Sequence, residues 1–267
     1  MKDKIKNILQ IIGKLEPDIP KVRGFHNRVL KPLYLWIFGN TEEEVCIFGK
    51  FKMKLRVKEC VDGNLFFAPH LYERKEIKFL EKNFPDNGVF IDIGAYKGFW
   101  SLYFASKFPF SKVIAIEANP IAFNYLVENI KLNDFKNIIP LNVAVSNEEG
   151  MANVLIPSHN NLGGTRIIKE NNVENEGEIV RVSSKLLSEL VNELNLSAID
   201  AMKIDIEGYE AKVLSEFFKN TNKELFPRKL CVEYIHCPEI IKLILSNEYK
   251  LIFKTRSNAL FQLKTYG

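Results

Sequence analysis

Cysteine is scarce, and its spacing excludes a disulfide framework. Cys46, Cys60, Cys231 and Cys237 form no Cys-x-x-Cys pair and no zinc-finger spacing. This pattern fits a reducing compartment and gives no sign of a structural zinc site. The N-terminal segment also lacks the apolar core and cleavage site of a signal peptide, so we expect a cytoplasmic protein.

Long hydrophobic runs and a strong charge excess are missing as well. No stretch approaches the roughly 18 apolar residues that a transmembrane helix needs. The 37 Lys and Arg residues against 33 Asp and Glu leave a net charge of +4 over 267 residues. That excess is too small and too dispersed to indicate a nucleic-acid binder. The composition is typical of a globular chain with one large domain, or one domain and an appendage.

The order of patterns along the chain predicts two parts. Residues 1–70 are expected to form an N-terminal helix and short antiparallel strands, with the last strand at Cys60–Phe67. In residues 71–267, strand-like and helix-like segments alternate, which is typical of a mostly parallel sheet with crossover helices. The final strand-like segments, Tyr249–Phe253 and Ala259–Leu263, leave no room for a helix between them. They should therefore form an antiparallel hairpin at one edge of the sheet.

The middle of the second part is the least regular. We expect a single strand from Ile138 to Val145 and a helix from Lys185 to Leu194. Between them lies a polar insert, Ser158–Arg166, which contains His159 and two adjacent glycines. Such loops close over substrates or are simple surface turns. We favour acceptor binding for this loop and assign His159 no role.

The strongest chemical signal is a glycine loop between the first predicted strand of the second part and the helix after it. In Asp92-Ile-Gly-Ala-Tyr-Lys-Gly98, Gly94 permits a sharp turn and Gly98 lets the backbone approach a ligand at a helix N-terminus. Further on, Glu117 ends the second strand, where a carboxylate can accept hydrogen bonds from both ribose hydroxyls. Tyr96 stands where a dinucleotide motif has its middle glycine. The pattern therefore favours S-adenosyl-L-methionine, which has a nucleoside at one end and an ammonium group at the other.

Four segments together resemble the successive motifs of FkbM-type S-adenosylmethionine-dependent methyltransferases. They are Asp92–Gly98, Val113–Pro120, Asn142–Ser146 and Lys203–Glu210. The resemblance runs from about Tyr72 to Glu233. It implies a Rossmann-like class I methyltransferase fold with a seven-stranded sheet, S-adenosyl-L-methionine as the methyl donor, and O-methylation of a sugar or natural-product hydroxyl. Ala118 and the pair Tyr96-Lys97 depart from the usual family pattern.

The resemblance also implies roles for individual positions. Carried over, the donor-binding residues are Asp92, Gly94 and Gly98 on the methionine and ribose side, Glu117 at the ribose, and Asn142 with Ala144 beside the adenine. An Asn at a strand end is well placed for an adenine edge, although it is also a common turn residue. Ser101, near the start of the helix, is either a polar contact to the methionine end or an ordinary helix residue.

Three carboxylates are candidate catalytic residues for methyl transfer to a hydroxyl. Asp205 ends the fourth strand, Glu207 follows it, and Glu233 ends the neighbouring strand, shortly before His236. Asp205 or Glu207 could accept the proton of a hydroxyl as the carbon–oxygen bond forms. Either could instead hold the donor's ammonium group, orient the acceptor or ligate Mg²⁺, and Glu207 also suits a helix N-terminus. Glu233 needs a partner in so apolar a strand.

The sequence thus predicts a cytoplasmic S-adenosylmethionine-dependent O-methyltransferase that acts on a hydroxyl of a sugar or sugar-containing precursor. The expected partner is a small-molecule or glycan acceptor, with no nucleic acid and no transmembrane segment. An NAD-linked sugar oxidoreductase or epimerase is opposed by the missing middle glycine. The lack of an Asn-Pro-Pro-aromatic motif argues against a nucleic-acid methyltransferase. The presence of Asp205, Glu207 and Glu233 argues against a binding module without turnover. Metal need and homo-oligomer formation stay open.

Overall fold

The computed structural model describes residues 2–19, 24–157, 162–168 and 177–264. The chain divides into two compact units, Met1–Arg74 and Lys75–Gly267. All four cysteines are free thiols. Among the described residues, no helix has both the length and the hydropathy that crossing a membrane would require.

The N-terminal unit combines short helices with one β-hairpin. Its elements are α1 (Lys2–Lys14), α2 (Lys31–Phe38), β1 (Glu42–Ile47), β2 (Phe51–Arg56) and α3 (Cys60–Phe67), with a π-helical segment at His26–Leu30 and a 3₁₀ turn at Pro69–Leu71. Strands β1 and β2 pair antiparallel. The fully buried Tyr34 ring packs edge-on against Phe66 and Phe67, with ring centroids 5.1 and 6.0 Å away. This aromatic group is the core of the unit.

The segment Cys60–Phe67 is helix α3, so the strand predicted there is wrong. A strand with one buried face exposes every second side chain. Leu65, Phe66 and Phe67 are instead buried one after another, which suits a short helix enclosed by its surroundings. In its first turn, the buried Asp62 accepts a hydrogen bond from the backbone N–H of Arg56 at 2.7 Å and thereby closes the turn after β2.

The C-terminal unit contains the larger sheet and the remaining elements. Its helices are α4 (Arg74–Glu81, beginning at the boundary), α5 (Phe99–Lys107), α6 (Pro120–Leu132), α7 (Leu187–Glu193), α8 (Glu210–Asn220) and α9 (Ile240–Leu245). Its strands are β3 (Val89–Ile93), β4 (Lys112–Ile116), β5 (Ile138–Leu141), β6 (Ala144–Ser146), β7 (Gly150–Pro157), β8 (Arg166–Ile168), β9 (Gly177–Leu186), β10 (Ala201–Ile204), β11 (Lys229–Glu233), β12 (Tyr249–Lys254) and β13 (Asn258–Leu263).

Seven strands form the central sheet in the order β12-β13-β11-β10-β3-β4-β5. The five strands from β11 to β5 are parallel, and β13 pairs antiparallel with both β11 and β12. The predicted mostly parallel sheet with an antiparallel edge hairpin is confirmed. The chain continues from β3 to β4 on one side and later returns to β10 on the other. Ligands of open α/β sheets bind at such a switch point, beside the carboxyl ends of the strands.

Helix α5 is anchored to this sheet by stacked aromatic rings. Phe104 stacks on Phe90 of β3 with a centroid distance of 3.9 Å, and Phe84 meets Phe104 edge-on at 5.1 Å. Burying an aromatic side chain of this size contributes about 1.5–3 kcal/mol. These contacts fix the helix whose N-terminus follows the glycine loop.

The chain between β5 and α7 departs from the prediction. The expected strand Ile138–Val145 breaks after Leu141, because β6 leaves the central sheet and pairs with β9. Strand β9 runs to Leu186, so the helix expected from Lys185 begins two residues later. A second sheet results, in the order β6-β9-β7-β8, with a small core of its own. Residues 158–161 of the predicted acceptor loop, His159 among them, lie outside the described residues.

Candidate functional site

A cleft opens at the switch point and encloses about 500 Å³, its open mouth included. Its lining comes partly from the loops after the central strands and partly from the second sheet. The lining includes Gly94, Tyr96, Glu117 and Asp205 from the central sheet and its loops, and Ala144, Thr165, Arg166 and Ile167 from the second sheet and its connections. Four predicted site residues, Gly94, Glu117, Ala144 and Asp205, are therefore brought together.

The glycine loop is tied to both neighbouring strands. The backbone N–H groups of Gly94 and Ala95 each donate to the Ile116 carbonyl at 2.9 Å, and the Asp205 N–H donates to the Ile93 carbonyl at 3.0 Å. Gly94 has a φ of 78°, and a Cβ at this position would lie 1.9 Å from the Asp205 carbonyl oxygen. Only glycine therefore allows the ends of β3 and β10 to approach this closely.

Glu117 is buried at the end of β4 and holds the same loop from the other side. Its two carboxylate oxygens accept the backbone N–H groups of Tyr96 at 2.7 Å and of Asn119 at 2.8 Å. Burial raises the pKa of Glu117 to about 7. A carboxylate offers about four acceptor positions, so half of them remain for a ligand in the cleft.

Asp92 and Ser101 form a buried pair beneath the loop. The Ser101 hydroxyl donates to Asp92 Oδ2 at 2.6 Å, whereas Asp92 Oδ1 is buried without a hydrogen-bond partner among the described residues. Burial raises the pKa of Asp92, and the positive charge of Lys203 opposes that rise. An unpaired buried oxygen of this kind is costly unless a ligand or water satisfies it.

Lys203 is a site residue that sequence reasoning missed. It stands opposite Asp92 in the β10–β3 register, is buried, and donates from Nζ to Asp205 Oδ2 at 2.8 Å. The sequence signal that could have found it is a lysine within the otherwise apolar run Ala201–Ile204, directly before Asp205. Lys203 thus provides one positive charge to both the Asp92 and the Asp205 carboxylates.

Gly98 and Asn142 do not line the cleft. Gly98, with a φ of 93°, precedes α5, and a Cβ there would lie 2.5 Å from Leu126 Cδ1 of α6. The Asn142 amide donates to the backbone carbonyls of Glu117 and Ala118 at 2.8 and 3.3 Å. Both residues thus support the loops around the cleft, and their predicted contacts with the donor stay predictions.

Asn119 links the two sheets and was also missed. Its Oδ1 caps α6 by accepting the N–H of Ile121 at 2.9 Å, and its Nδ2 donates to Thr165 Oγ1 at 2.9 Å. An Asn immediately before a proline is typical of a helix start. The sequence signal for the cap was therefore present, but its second bond depends on the tertiary structure.

The other predicted carboxylates lie at the ends of β10 and β11. His236 Nε2 is 3.1 Å from Glu207 Oε2 and 4.0 Å from Glu233 Oε2. Burial, together with the negative charges of Asp205 and Glu207, raises the pKa of Glu233 to about 9. Burial and Asp205 also raise the pKa of Glu207. Burial and these negative charges thus favour the protonated form of Glu233.

The turn after β10 is held by a further buried carboxylate. Glu210 Oε1 accepts the N–H of Ile206 at 2.8 Å, and Glu210 Oε2 accepts the N–H of Gly208 at 3.0 Å. Glu207 lies between them with a φ of 56°, a left-handed conformation that is unusual for glutamate. The turn thus orients Glu207 towards His236. Of the three predicted catalytic carboxylates, only Asp205 lines the cleft.

Comparison with known proteins agrees with this geometry. The "Methyltransferase FkbM domain" family matches residues 92–250. Methyltransferase sdnD of Sordaria araneosa is 28% identical in an alignment of 158 residues, and the match covers 49% of this chain and 61% of that protein. A tRNA(Phe) (4-demethylwyosine(37)-C(7)) aminocarboxypropyltransferase of Methanocaldococcus jannaschii is 39% identical over 72 residues, 27% of this chain and 28% of that protein. The chain thus covers less than two thirds of either relative.

Among solved structures, the METTL16 MTase domain is similar in fold, with a TM-score of 0.50 and 13% identity over 89% of this chain and 79% of that one. The predicted Rossmann-like class I methyltransferase fold is confirmed. The family match covers more than half of the sequence. It includes the glycine loop, Glu117 and the three carboxylates Asp205, Glu207 and Glu233. The chain belongs to the FkbM family of S-adenosylmethionine-dependent methyltransferases.

Proposed function

We propose that this protein transfers the methyl group of S-adenosylmethionine to a hydroxyl of a sugar or sugar-containing precursor. The observation that carries the proposal is that Asp205 and Glu117 line one cleft. In the proposed reaction, the acceptor oxygen attacks the methyl carbon and the carbon–sulfur bond breaks. The sulfonium leaves as the neutral thioether, and the hydroxyl proton passes to Asp205. Much of the rate comes from holding oxygen, carbon and sulfur in line.

The residues present fit the donor. Glu117 would bind the ribose hydroxyls, because both of its oxygens retain free acceptor positions. Asp92 would face the ammonium group, since its buried Oδ1 has no partner among the residues that the structure describes. Ala144 would border the adenine from the second sheet. When bound, S-adenosylmethionine supplies the electrophilic methyl group.

The proton acceptor is assigned by position. Lys203 pairs with Oδ2 of Asp205, which orients the carboxylate while Oδ1 keeps its acceptor capacity. A carboxylate within hydrogen-bond reach of a hydroxyl contributes about 10²–10⁴-fold to such a reaction. In this scheme Glu207 and Glu233 are not the proton acceptor, because neither of them lines the cleft.

A sugar acceptor is supported by a few polar side chains in a cleft whose lining is otherwise largely apolar. Thr165, Arg166 and Asp205 offer donors and acceptors in one cavity, which suits a molecule with several hydroxyls. A tRNA acceptor is a second candidate, because the aminocarboxypropyltransferase relative is named for tRNA(Phe). The small net charge of +4 favours the sugar. The proposed setting is the cytoplasm, where free thiols persist.

The test is incubation of the purified protein with methyl-labelled S-adenosylmethionine and separate panels of nucleotide sugars, glycans and total tRNA. Mass spectrometry then locates any added methyl group. We expect a single methyl ether on a sugar hydroxyl, and none with the Asp205→Asn variant at the same protein concentration. If the label enters tRNA and no sugar, the proposed sugar acceptor is wrong. If the methyl group is found on nitrogen or carbon, the proposed transfer to oxygen is wrong.

A further inference from the structure

Three potential metal ligands meet where β10 and β11 end. Glu207, Glu233 and His236 each offer one ligand atom, and these atoms all lie within 4.8 Å of one another. His236 Nε2 is 3.1 Å from Glu207 Oε2 and 4.0 Å from Glu233 Oε2. The three side chains come from the turn after β10, from the end of β11 and from the segment that follows it. They are therefore held by two neighbouring strands of the central sheet.

A second observation points to a ligand at this cluster. Glu233 is only 9% exposed, and its Oε2 is buried without a hydrogen-bond partner among the described residues. This oxygen is the atom that points towards His236 Nε2. A buried carboxylate oxygen is normally satisfied by hydrogen bonds or by a metal ion. A cation held between Glu233 and His236 would supply the missing partner.

The surrounding charge favours a cation. Asp205 and Glu210 add negative charge next to Glu207 and Glu233, and the opposing positive charges come from Lys203 and Arg166. Lys203 is already paired with Asp205. Glu207 and Glu233 thus face one imidazole beside two further acidic groups, Asp205 and Glu210.

We propose that Glu207, Glu233 and His236 bind a divalent first-row transition cation, with Mn²⁺ as the reference ion. Neighbouring ligands of an octahedral ion with bonds of about 2.1 Å stand roughly 3 Å apart. The distance from His236 Nε2 to Glu207 Oε2 already has this value. The 4.0 Å between His236 Nε2 and Glu233 Oε2 is longer, and the half-exposed imidazole would have to turn towards Glu233 to bind the same ion. A mixed set of imidazole and carboxylates suits Mn²⁺ or Zn²⁺ better than Mg²⁺, which prefers oxygen alone.

Three protein ligands leave positions on the ion for water or another oxygen ligand. Structural zinc sites close all four positions with protein groups, so this arrangement resembles an open site. The inference goes beyond the proposed function, because cation binding requires neither the methyl donor nor the acceptor. Its failure would leave the proposed methyl transfer untouched.

The direct test uses the full chain after dialysis against a chelator, titrated with MnCl₂ without donor or acceptor. Electron paramagnetic resonance measures free Mn²⁺, whose sharp signal falls as the ion binds. We expect one ion per chain, and a loss of affinity of at least about tenfold in Glu233→Gln and in His236→Gln, since each removes a direct ligand. Glu239→Gln, an exposed residue near the cluster, is the matched control and should bind as the wild type does.

A thermal melt of each variant shows whether it is folded, so that a loss of metal binding can be distinguished from a loss of structure. Mn²⁺ or Zn²⁺ should raise the melting temperature of the wild type and of Glu239→Gln, and should not raise that of His236→Gln. The absence of saturable binding by the wild type at millimolar Mn²⁺ and Zn²⁺ would overturn the proposal. So would equal affinity in the wild type and in folded Glu233→Gln and His236→Gln variants.

Discussion

Glu117 Oε2 accepts the backbone N–H of Tyr96 over 2.7 Å, which ties the end of β4 to the glycine loop after β3. Its other oxygen accepts the N–H of Asn119 at the start of α6. One buried carboxylate thus organises two loops of the cleft, and in the proposed function it also binds the ribose. Variants at this position can separate the two roles, because glutamine keeps an acceptor oxygen whereas alanine keeps none.

Replacing Glu117 with alanine should weaken the binding of S-adenosylmethionine by about 1–3 kcal/mol, the range for hydrogen bonds to a charged group. Isothermal titration calorimetry measures this difference directly. Glu128→Ala on the exposed side of α6 is the control and should bind the donor normally. If folded Glu117→Ala binds as tightly as Glu128→Ala, Glu117 does not contact the donor.

Donor binding should also depend on pH. The pKa of Glu117 is raised to about 7 in the free protein, and the ionised carboxylate is the form that accepts two ribose hydroxyls. Lowering the pH protonates this group, so affinity should fall about tenfold between about pH 8 and pH 6. Calorimetry of Glu117→Gln, which cannot ionise, should show a much flatter profile. An identical slope in both proteins would assign the pH dependence to another group.

Gly94→Ala should abolish donor binding and lower the melting temperature, because its Cβ would meet the Asp205 carbonyl at 1.9 Å. Gly150→Ala is the matched control, since Gly150 also has a positive φ but a Cβ added there would meet no atom within 4 Å. For this control we expect only the backbone cost of about 1–2 kcal/mol. Calorimetry and thermal melts of both variants separate the steric effect from the conformational one. Comparable losses in the two would mean that the close approach of β3 and β10 is unimportant.

The glycine loop and Glu117 were predictable because their signals are local. A turn residue, a buried strand and an acidic strand end lie within one short stretch of sequence, and parallel pairing then brings them to the same edge. The edge hairpin was predictable for a similar reason, since its short connection excludes a crossover helix. The second sheet was not, because β6 pairs with the distant β9, with Ala144 opposite Ser184, and no local pattern marks that pairing.

The rest of the site needed the tertiary structure. The sequence placed Asp205, Glu207 and Glu233 near one edge, but it could not show that Asp205 is the one of the three that lines the cleft. It also gave no role to Lys203, because the ion pair with Asp205 and the proximity to Asp92 depend on strand register. The helix at Cys60–Phe67 was missed because short apolar runs do not distinguish a strand from an enclosed helix.

Asp205→Asn should lower kcat by about 10²–10⁴-fold if this residue accepts the hydroxyl proton. Its affinity for S-adenosylmethionine should change little, because the amide keeps the shape of the side chain. Single-turnover methyl transfer at saturating acceptor is the measurement, and Asp134→Asn on the surface is the control. Near-normal turnover in Asp205→Asn would remove the residue from the chemical step.

Thr165→Val should raise the KM for the acceptor and leave the affinity for the donor within about twofold. The substitution keeps the side-chain shape but removes the Oγ1 that accepts from Asn119 Nδ2 at 2.9 Å, a neutral hydrogen bond worth about 0.5–1.5 kcal/mol. Steady-state kinetics with varied acceptor, together with donor calorimetry, provide the comparison, and Thr165→Ser should restore the normal KM. A change confined to donor affinity would show that the second sheet serves the donor instead.

The four-stranded sheet between β5 and α7 has a consequence for how this protein can diversify. It contributes Thr165, Arg166 and Ile167 to the cleft, whereas Gly94 and Glu117 come from the central sheet. Because the second sheet has its own small core, its hairpins can change in length and composition without repacking the strands that hold the glycine loop. In the proposed function, the β7–β8 side of the second sheet can therefore vary with the acceptor, while the glycine loop, Glu117 and Ala144 of β6 continue to hold the methyl donor.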